Sequence, residues 1–428
     1  MTFSFYTLGC KVNQYETAAM ERLLTAAGHT QILSDATPDI FVINSCTVTA
    51  ESDRKTRQIV RKYRRTLPHS IIILTGCMPQ AFPDDAEGLD AADIVLGNHT
   101  NNRIVEAVDR FIKTGERVII IDEHKKGDLF DTPTVDRFEE RTRAYLKIQD
   151  GCNRFCSYCI IPTARGRERS KPLDIIRAEV KEIAEKGHKE IVLVGINLSA
   201  YGNDIGASLC DAVDAVCEVN GIDRVRLGSL EPDIFTDEMM KRLKAQPKFC
   251  PQFHFSLQSG CDATLKRMNR HYDSDFYRRL IARVRDNFEN AAITTDIMVG
   301  FAGETDDEFN QSLSFVKEIG FAQAHVFAYS RRAGTVAAKA PGQVLNAVKH
   351  ERSQKMISAV AETQKSFLKS QVGGVYPVLF ETEKDGFVGG YTPNYTYVKV
   401  KADKSLCGKI IKVKITEVDG ESCIGTVE

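Results

Sequence analysis

The stretch AYLKIQDGCNRFCSYCIIP, residues 144–162, constrains this chain more than any other. An apolar, strand-like run ends at Gln149. Three cysteines follow at once, Cys152, Cys156 and Cys159, spaced C-x3-C-x2-C. Three thiolates can bind zinc or three irons of a 4Fe–4S cluster. A structural zinc site needs a fourth ligand at comparable spacing, such as a second CxxC or an HxxxH, and none lies nearby. Three protein ligands on a cluster leave one iron open for a small molecule. Buried or zinc-bound cysteines are the competing reading. A loop that carries chemistry directly after a strand fits a parallel α/β architecture, where sites gather at the C-terminal strand ends.

The rest of the sequence supports that class. In the first third, apolar strands (FSFYTL, IFVINS, IIILTG, DIVLGN, RVIIID) alternate with helical stretches (ETAAMERLLTAAG, DRKTRQIVRKYRRT, NRIVEAVDRFIKTG). This predicts a parallel sheet covered by helices on both faces. Residues 122–143 are charged, lack periodic apolar positions and read as a linker. From 144 six strand-plus-helix units follow: AYLKIQ, EIVLVGIN, RVRLGS, FHFSLQS, AITTDIMVG and AQAHVFAYS, with helices near 173–186, 208–218, 236–245, 274–289 and 305–319. They predict a partial (βα)6 barrel or an open sheet. A long helix covers about 344–371. Short β segments broken by Gly, Asp and Asn then predict a small antiparallel barrel of OB type.

At 428 residues the chain needs two or three domains. No run of about 18 apolar residues occurs, which argues against a membrane span. The N-terminus reads as strand then helix rather than as a signal peptide, so a cytoplasmic protein is expected. In that setting 12 cysteines point to metal or redox chemistry rather than disulfides. The net charge of −1 means that any nucleic acid must be held by local basic patches.

Cys10, Cys46 and Cys77 each follow an apolar strand directly. In a parallel sheet such ends share one edge, so three cysteines remote in sequence can converge. Gly9 and Gly76, just before two of them, allow close backbone approach. The alternative is three small buried hydrophobes. The other six cysteines show no metal spacing, and Cys210 and Cys217, seven apart on one helix face, read as core.

Taken together, these residues resemble the methylthiotransferases, radical S-adenosylmethionine (SAM) enzymes that insert –SCH3 into a C–H bond. The likeness spans nearly the whole chain. PTARGRERS, GINLSAYG, LGSLEP, HFSLQSG, LKRMNRHY, DIMVGFAGET and HVFAYSRRAGT match the family in order, although Ala302 and Ala328 stand where the family usually has Pro. The resemblance implies a methylthiotransferase domain over 1–121, a linker over 122–143, a radical SAM barrel over 144–370 and a TRAM domain over 371–428. It implies that Cys152, Cys156 and Cys159 hold the SAM-binding 4Fe–4S cluster. Cys10, Cys46 and Cys77 would hold a second, auxiliary 4Fe–4S cluster. TLGCKVNQYET, NSCTVTAESDRKTRQ and KIQDGCNRFCSYCIIP are similar to the branch acting on N6-threonylcarbamoyladenosine (t6A) in tRNA. The isopentenyl-adenosine branch usually has Met-Asn after its Cys-Gln, and the ribosomal-protein branch has Pro-Lys-Asn.

The implied reaction is 2-methylthiolation of t6A just 3′ of the anticodon. Adenine C2–H is not acidic, so no general base can activate it. A 5′-deoxyadenosyl radical from SAM can, once an electron donor such as flavodoxin or ferredoxin reduces the cluster. By position in the barrel, Gly195, Asn197, Glu231, Gln258, Ser259, Asp296 and Val299 are candidate SAM contacts. For the tRNA anticodon stem-loop, the candidates are Arg57, Arg61 and Arg65 on a basic helix face, and Arg165 and Arg167 beyond the cluster loop. Lys399 and Lys401 join them, in a segment with six lysines and one acid. Tyr395 and Tyr397 could stack on bases or pack within the barrel. The alternatives are methylthiolation of isopentenyl-adenosine or of a ribosomal protein, and an iron–sulfur RNA-binding sensor without catalysis.

Overall fold

The computed structural model describes residues 1–32, 36–136, 138 and 142–428. The chain opens with β1 (Thr2–Thr7), α1 (Lys11–Ala26), β2 (Thr30–Gln31), β3 (Ile40–Ser45), α2 (Ala50–Thr66) and β4 (Ile71–Gly76). Next come α3 (Cys77–Ala81), α4 (Pro83–Glu87), β5 (Ile94–Leu96), α5 (Ile104–Thr114) and β6 (Val118–Ile120). The six strands form one parallel sheet in the order β2-β1-β3-β4-β5-β6. Every residue of β3 and β4 is buried, because helices cover both faces. One apolar layer packs Met20 and Leu24 of α1 with α5, and the opposite layer packs Ile59 and Val60 of α2.

The barrel strands and helices run β7 (Arg143–Lys147), β8 (Gln149–Asp150), α6 (Ile161–Arg165), β9 (Arg169–Ser170), α7 (Leu173–Glu185), β10 (Glu190–Val194) and α8 (Leu209–Cys217). They continue with β11 (Arg224–Leu227), β12 (Ser229–Leu230), α9 (Asp237–Ala245), β13 (Gln252–Phe255), α10 (Asp262–Arg267), α11 (Ser274–Asn287), β14 (Ala292–Val299), α12 (Asp306–Ile319) and β15 (Gln323–Ala328). All pairs within β11-β10-β7 and β12-β13-β14-β15 are parallel. The six predicted strands are therefore present, and the third breaks at Gly228 into β11 and β12. Local signals set the helix ends. Thr305 and Glu308 form a capping box at the start of α12, and Gly320 ends it with φ +66.

After α13 (Val336–Lys339), α14 (Asn346–Gln371) leads into β16 (Val375–Lys384), β17 (Phe387–Tyr391), β18 (Tyr397–Lys401), β19 (Ile410–Asp419) and β20 (Ser422–Val427). These close into a barrel in the order β16-β17-β18-β20-β19. All its pairs are antiparallel except β18 with β20.

The segment read as a linker is more than a spacer. Residues 137 and 139–141 lie outside the described residues. Val135 is buried in the barrel core, and its N–H donates to Glu179 Oε1 at 2.8 Å. Phe138 is buried beside it. Two apolar residues in a charged run give no period, so the sequence pattern hid them. The first domain is bound to the barrel in other ways too. Val12, Tyr15, Ala18 and Ala19 of α1 pack into the barrel core, while Met20 and Leu24 of the same helix face its own sheet.

Candidate iron–sulfur centres and the cavity between domains

β1, β3 and β4 are neighbours in the sheet, and a cysteine follows each. Cys10 precedes α1 and is exposed, Cys46 is buried, and Cys77 opens α3 and is buried. Gly9 has φ +101, and a Cβ there would lie 3.1 Å from Cys46 Sγ. Gly76 has φ +100, and its Cβ would strike the Ser45 backbone. Only glycine lets both chains turn this closely. The three thiols feel one another's charge. Burial pushes the Cys77 thiol up to about 12, although Arg165 donates Nε–H to its Sγ at 3.3 Å. Asn98 Nδ2 lies 3.8 Å from the same sulfur.

The other triad sits in the loop after β8. Gly151, with φ +71, allows Cys152 N–H to donate to Gly166 O at 3.1 Å. Arg154 N–H approaches Cys152 Sγ at 3.5 Å, and Arg270 Nη1 donates to Cys156 Sγ at 3.2 Å. Burial raises the Cys152 and Cys159 thiols to about 12. A bound metal would ionise these thiols, although burial raises the core thiol of Cys217 as far.

Ligand spacing tests which group fits. Among the described residues, only His99, His124 and Asp128 bring three ligand atoms within 4.8 Å of one another. Neither cysteine triad does. Four thiolates on one zinc, with Zn–S about 2.3 Å, would stand about 3.8 Å apart. In each triad at least one pair of sulfurs lies farther apart than that, and Cys77, Cys152 and Cys156 carry a backbone or Arg donor on sulfur. Neither triad is a preformed mononuclear zinc site among the described residues, and three cysteines per site leave room for a cluster with one open iron.

The two triads are neighbours in space. α6 begins two residues after Cys159, and Ile160 and Ala164 pack on Cys77 and Ala81 of α3. At its end, Arg165 crosses to the first domain and binds Glu16 at 2.5 and 2.9 Å and Asn13 at 3.0 Å. Lys147 Nζ donates to Glu16 and Asp150, each at 2.7 Å. This overturns the RNA-contact reading of Arg165, which is 1% exposed. Arg169 is likewise buried against Asp150. Arg167 is exposed and lies over the Phe155 ring at 4.7 Å.

The other expected contacts divide. Gly195 and Asp296 line a cavity of about 980 Å³ that also reaches Cys10, Lys11 and Tyr395. Asn197 N–H donates to Gln149 Oε1 at 2.7 Å, and its buried Oδ1 has no partner among the described residues. Glu231 accepts from Arg270 at 2.5 Å. Gln258, with φ +69, ties its backbone to Asp296 and Met298. The Ser259 and Val299 side chains are buried, Ser259 accepting from Cys261 N–H and Val299 in the core. Arg270, Arg154 and Gln149 order this region, yet sequence reasoning missed them. Arg270 stands inside the LKRMNRHY stretch, the one signal that could have found it.

On the basic helix, Arg61 and Arg65 are exposed, whereas Arg57 is half-buried and 3.5 Å from Asp85. Lys401 is exposed, and Lys399 pairs with Asp419 at 2.6 Å. Tyr395 stacks on Tyr391 at 4.4 Å beneath Arg143, and Tyr397 lies 5.0 Å from Tyr391, so these rings pack on one another while also lining the cavity. No helix among the described residues is long and apolar enough to cross a membrane.

Known families match along the chain: "Uncharacterized protein family UPF0004" over residues 2–97, the radical SAM superfamily over 146–316 and the TRAM domain over 369–427. The threonylcarbamoyladenosine tRNA methylthiotransferase MtaB of Bacillus subtilis (strain 168) is 37% identical, covering 97% of this chain and 93% of its own. Its Thermotoga maritima namesake is also 37% identical, covering 99% and 96%. A tRNA-2-methylthio-N(6)-dimethylallyladenosine synthase of Pelotomaculum thermopropionicum is 35% identical, covering 97% and 95%. Among solved structures, the radical S-adenosylmethionine methyltransferase TsrM of Kitasatospora setae shares the fold. Its TM-score is 0.56 at 12% identity, over 91% of this chain and 80% of that one. Identity at this level over nearly full length places the chain in the radical SAM methylthiotransferase family.

Proposed function

We propose that this chain is a tRNA methylthiotransferase that converts t6A, 3′ of the anticodon, into 2-methylthio-t6A. The observation that carries the reading is the junction at α6, where the loop of one cysteine triad packs directly on the other. Insertion of –SCH3 needs radical generation and sulfur donation at one substrate, and this junction supports both. The near full-length likeness to the B. subtilis and T. maritima enzymes supports the t6A target.

Cys152, Cys156 and Cys159 would hold the SAM-binding 4Fe–4S cluster, and Cys10, Cys46 and Cys77 a second one. When bound, clusters and SAM supply the one-electron chemistry and the methylthio group that an unactivated C2–H requires. The chain's own residues provide the setting. Arg270 places positive charge on Cys156 and fixes Glu231. Asn197 Oδ1 offers a buried acceptor to a SAM donor group. Gly195 leaves space beside Gln149 that a side chain would fill, its Cβ meeting Gln149 at 2.9 Å. Asp296 and the backbone around Gln258 complete the SAM assignment, with Ser259 and Val299 contributing main chain alone. An external reductant of flavodoxin or ferredoxin type is part of the proposal, as is action in the cytoplasm. So is the division into domains 1–121, 144–370 and 371–428, joined by 122–143. Arg57, Arg61, Arg65, Arg167, Lys399 and Lys401 are assigned to tRNA phosphates.

The test is nucleoside mass spectrometry of total tRNA from cells with and without this gene. Loss of 2-methylthio-t6A with t6A retained is the expected result. Loss of a different methylthio mark, such as that on dimethylallyladenosine, would keep the chemistry and overturn the substrate.

A further inference from the structure

One charged side chain in the central cavity has no role so far. Lys11 follows Cys10, opens α1 and lines the 980 Å³ cavity together with Gly9, Cys10, Gly195 and Tyr395. The residue is exposed. Among the described residues its Nζ makes no hydrogen bond and no ion pair, and the cationic neighbours around it are Arg143 and Arg226. The two arginines are already neutralised. Arg143 pairs with Glu381 at 2.5 Å, and Arg226 with Glu190 at 2.8 Å. Three acids line the cavity: Asp296 faces His254 at 3.3 Å, Asp419 faces Lys399 at 2.6 Å, and Glu421 forms no ion pair with Lys11 among the described residues. Lys11 is therefore an unanswered ammonium in a confined space, one residue from a cysteine of the first triad. An ammonium without a partner on a cavity wall favours an anionic ligand, through a charge-assisted hydrogen bond.

We propose that Lys11 is a carboxylate-binding site, which recognises the free carboxylate on the threonyl arm of the substrate nucleoside. The inference rests on the t6A reading above. In adenine, N1 separates C2 from C6, the carbon that bears N6. A base that turns C2 toward the Cys10 triad brings its N6 arm into the same cavity. The threonyl arm ends in a carboxylate, and a dimethylallyl arm has no charge. An ammonium here would discriminate the two, because charge-assisted hydrogen bonds outweigh neutral ones.

The experiment measures binding to the cluster-loaded protein by fluorescence anisotropy. Three anticodon stem-loop RNAs are compared: with t6A, with t6A as its carboxyl methyl ester, and with plain adenosine. Wild type is expected to prefer the acid over the ester by about tenfold or more, the size of one charged hydrogen bond. Lys11→Met and Lys11→Gln should bind acid and ester equally, and Lys11→Arg should restore part of the preference. Binding of SAM should be unchanged in all three. The proposal is overturned if wild type does not distinguish acid from ester, a result that needs no variant. It is also overturned if Lys11→Met weakens all three RNAs alike, which assigns the lysine to a phosphate, or lowers SAM affinity while the acid preference persists. Mass spectrometry of the wild-type product reports separately whether t6A is methylthiolated, so failure of the substrate reading is seen on its own.

Discussion

Glu16 answers two cations, Lys147 at 2.7 Å and Arg165 at 2.5 Å, with about 1% of each side chain in solvent. Arg165 in turn touches Cys77, so this carboxylate sets the charge beside one cysteine triad. Removing one member of a buried ion network leaves the others uncompensated, which costs about 3–5 kcal/mol. Glu16→Gln should lower stability by that amount in urea unfolding. It should also reduce retention of iron by the Cys10 triad more than by the Cys152 triad. The same network gives the protein an acid limit. Burial raises the Glu16 and Asp150 carboxyls, but Arg165 and Lys147 outweigh it and hold both below their ordinary 4.5 and 3.8. A lowered native value stabilises the fold above the unfolded value, and that stability is lost as pH falls through the native one. The stability gap between wild type and Glu16→Gln should be constant above pH 4.5 and narrow below it, as followed by urea midpoints. Nothing in the sequence showed this network. Arg165 sits in a basic run, and only tertiary packing turns it inward.

At the scale of elements, the loop from β8 to α6 depends on Gly151. A Cβ there would lie 1.8 Å from Arg167 O, and φ is +71. The backbone must shift, which breaks the Cys152 N–H to Gly166 O bond that orients Cys152. Gly151→Ala should cost about 1–3 kcal/mol, the usual size of such strain. SAM cleavage should fall at least tenfold, and the cluster's EPR signal should no longer respond to added SAM. A variant with normal cleavage would show that the loop tolerates the shift. This loop was legible in the sequence because three cysteines followed a strand directly. Cys10, Cys46 and Cys77 were legible for the same reason, since β1, β3 and β4 end in line. The burial of Val135 and Phe138 was not, because two apolar residues make no period. The proposed SAM contacts rest, in the sequence, on strand-end position alone. Strand alternation decides which side chains face the cavity, and a one-residue uncertainty puts Val299 in the core and Asp296 on the cavity wall.

On the scale of the molecule, the C-terminal barrel is clamped onto the central one by arginines at the start of its strands. Arg224 donates to the carbonyls of Tyr391 and Pro377 at 3.0 and 2.5 Å, and Arg226 to those of Pro393 and Thr392 at 2.8 and 3.3 Å. Arg143 lies over the Tyr391 and Tyr395 rings at 4.5 and 5.0 Å. These tyrosines take part in docking, and the proposed phosphate contacts lie in separate patches. A protein of net charge −1 has no global field to attract RNA, so each exposed cation in a patch counts. Each phosphate contact releases counterion and steepens the salt dependence of binding by about 1 in a plot of log K against log salt. Arg61→Ala and Arg65→Ala should each reduce that slope by about 1 and leave thermal stability unchanged, since both side chains are exposed on α2. Arg165→Ala should do the opposite, leaving the slope intact and lowering the melting temperature. Titrations of anticodon stem-loop RNA at several salt concentrations, with melting curves of the same samples, separate the two behaviours. A reduced slope in Arg165→Ala, or none in the α2 variants, would move the tRNA to another face of the protein.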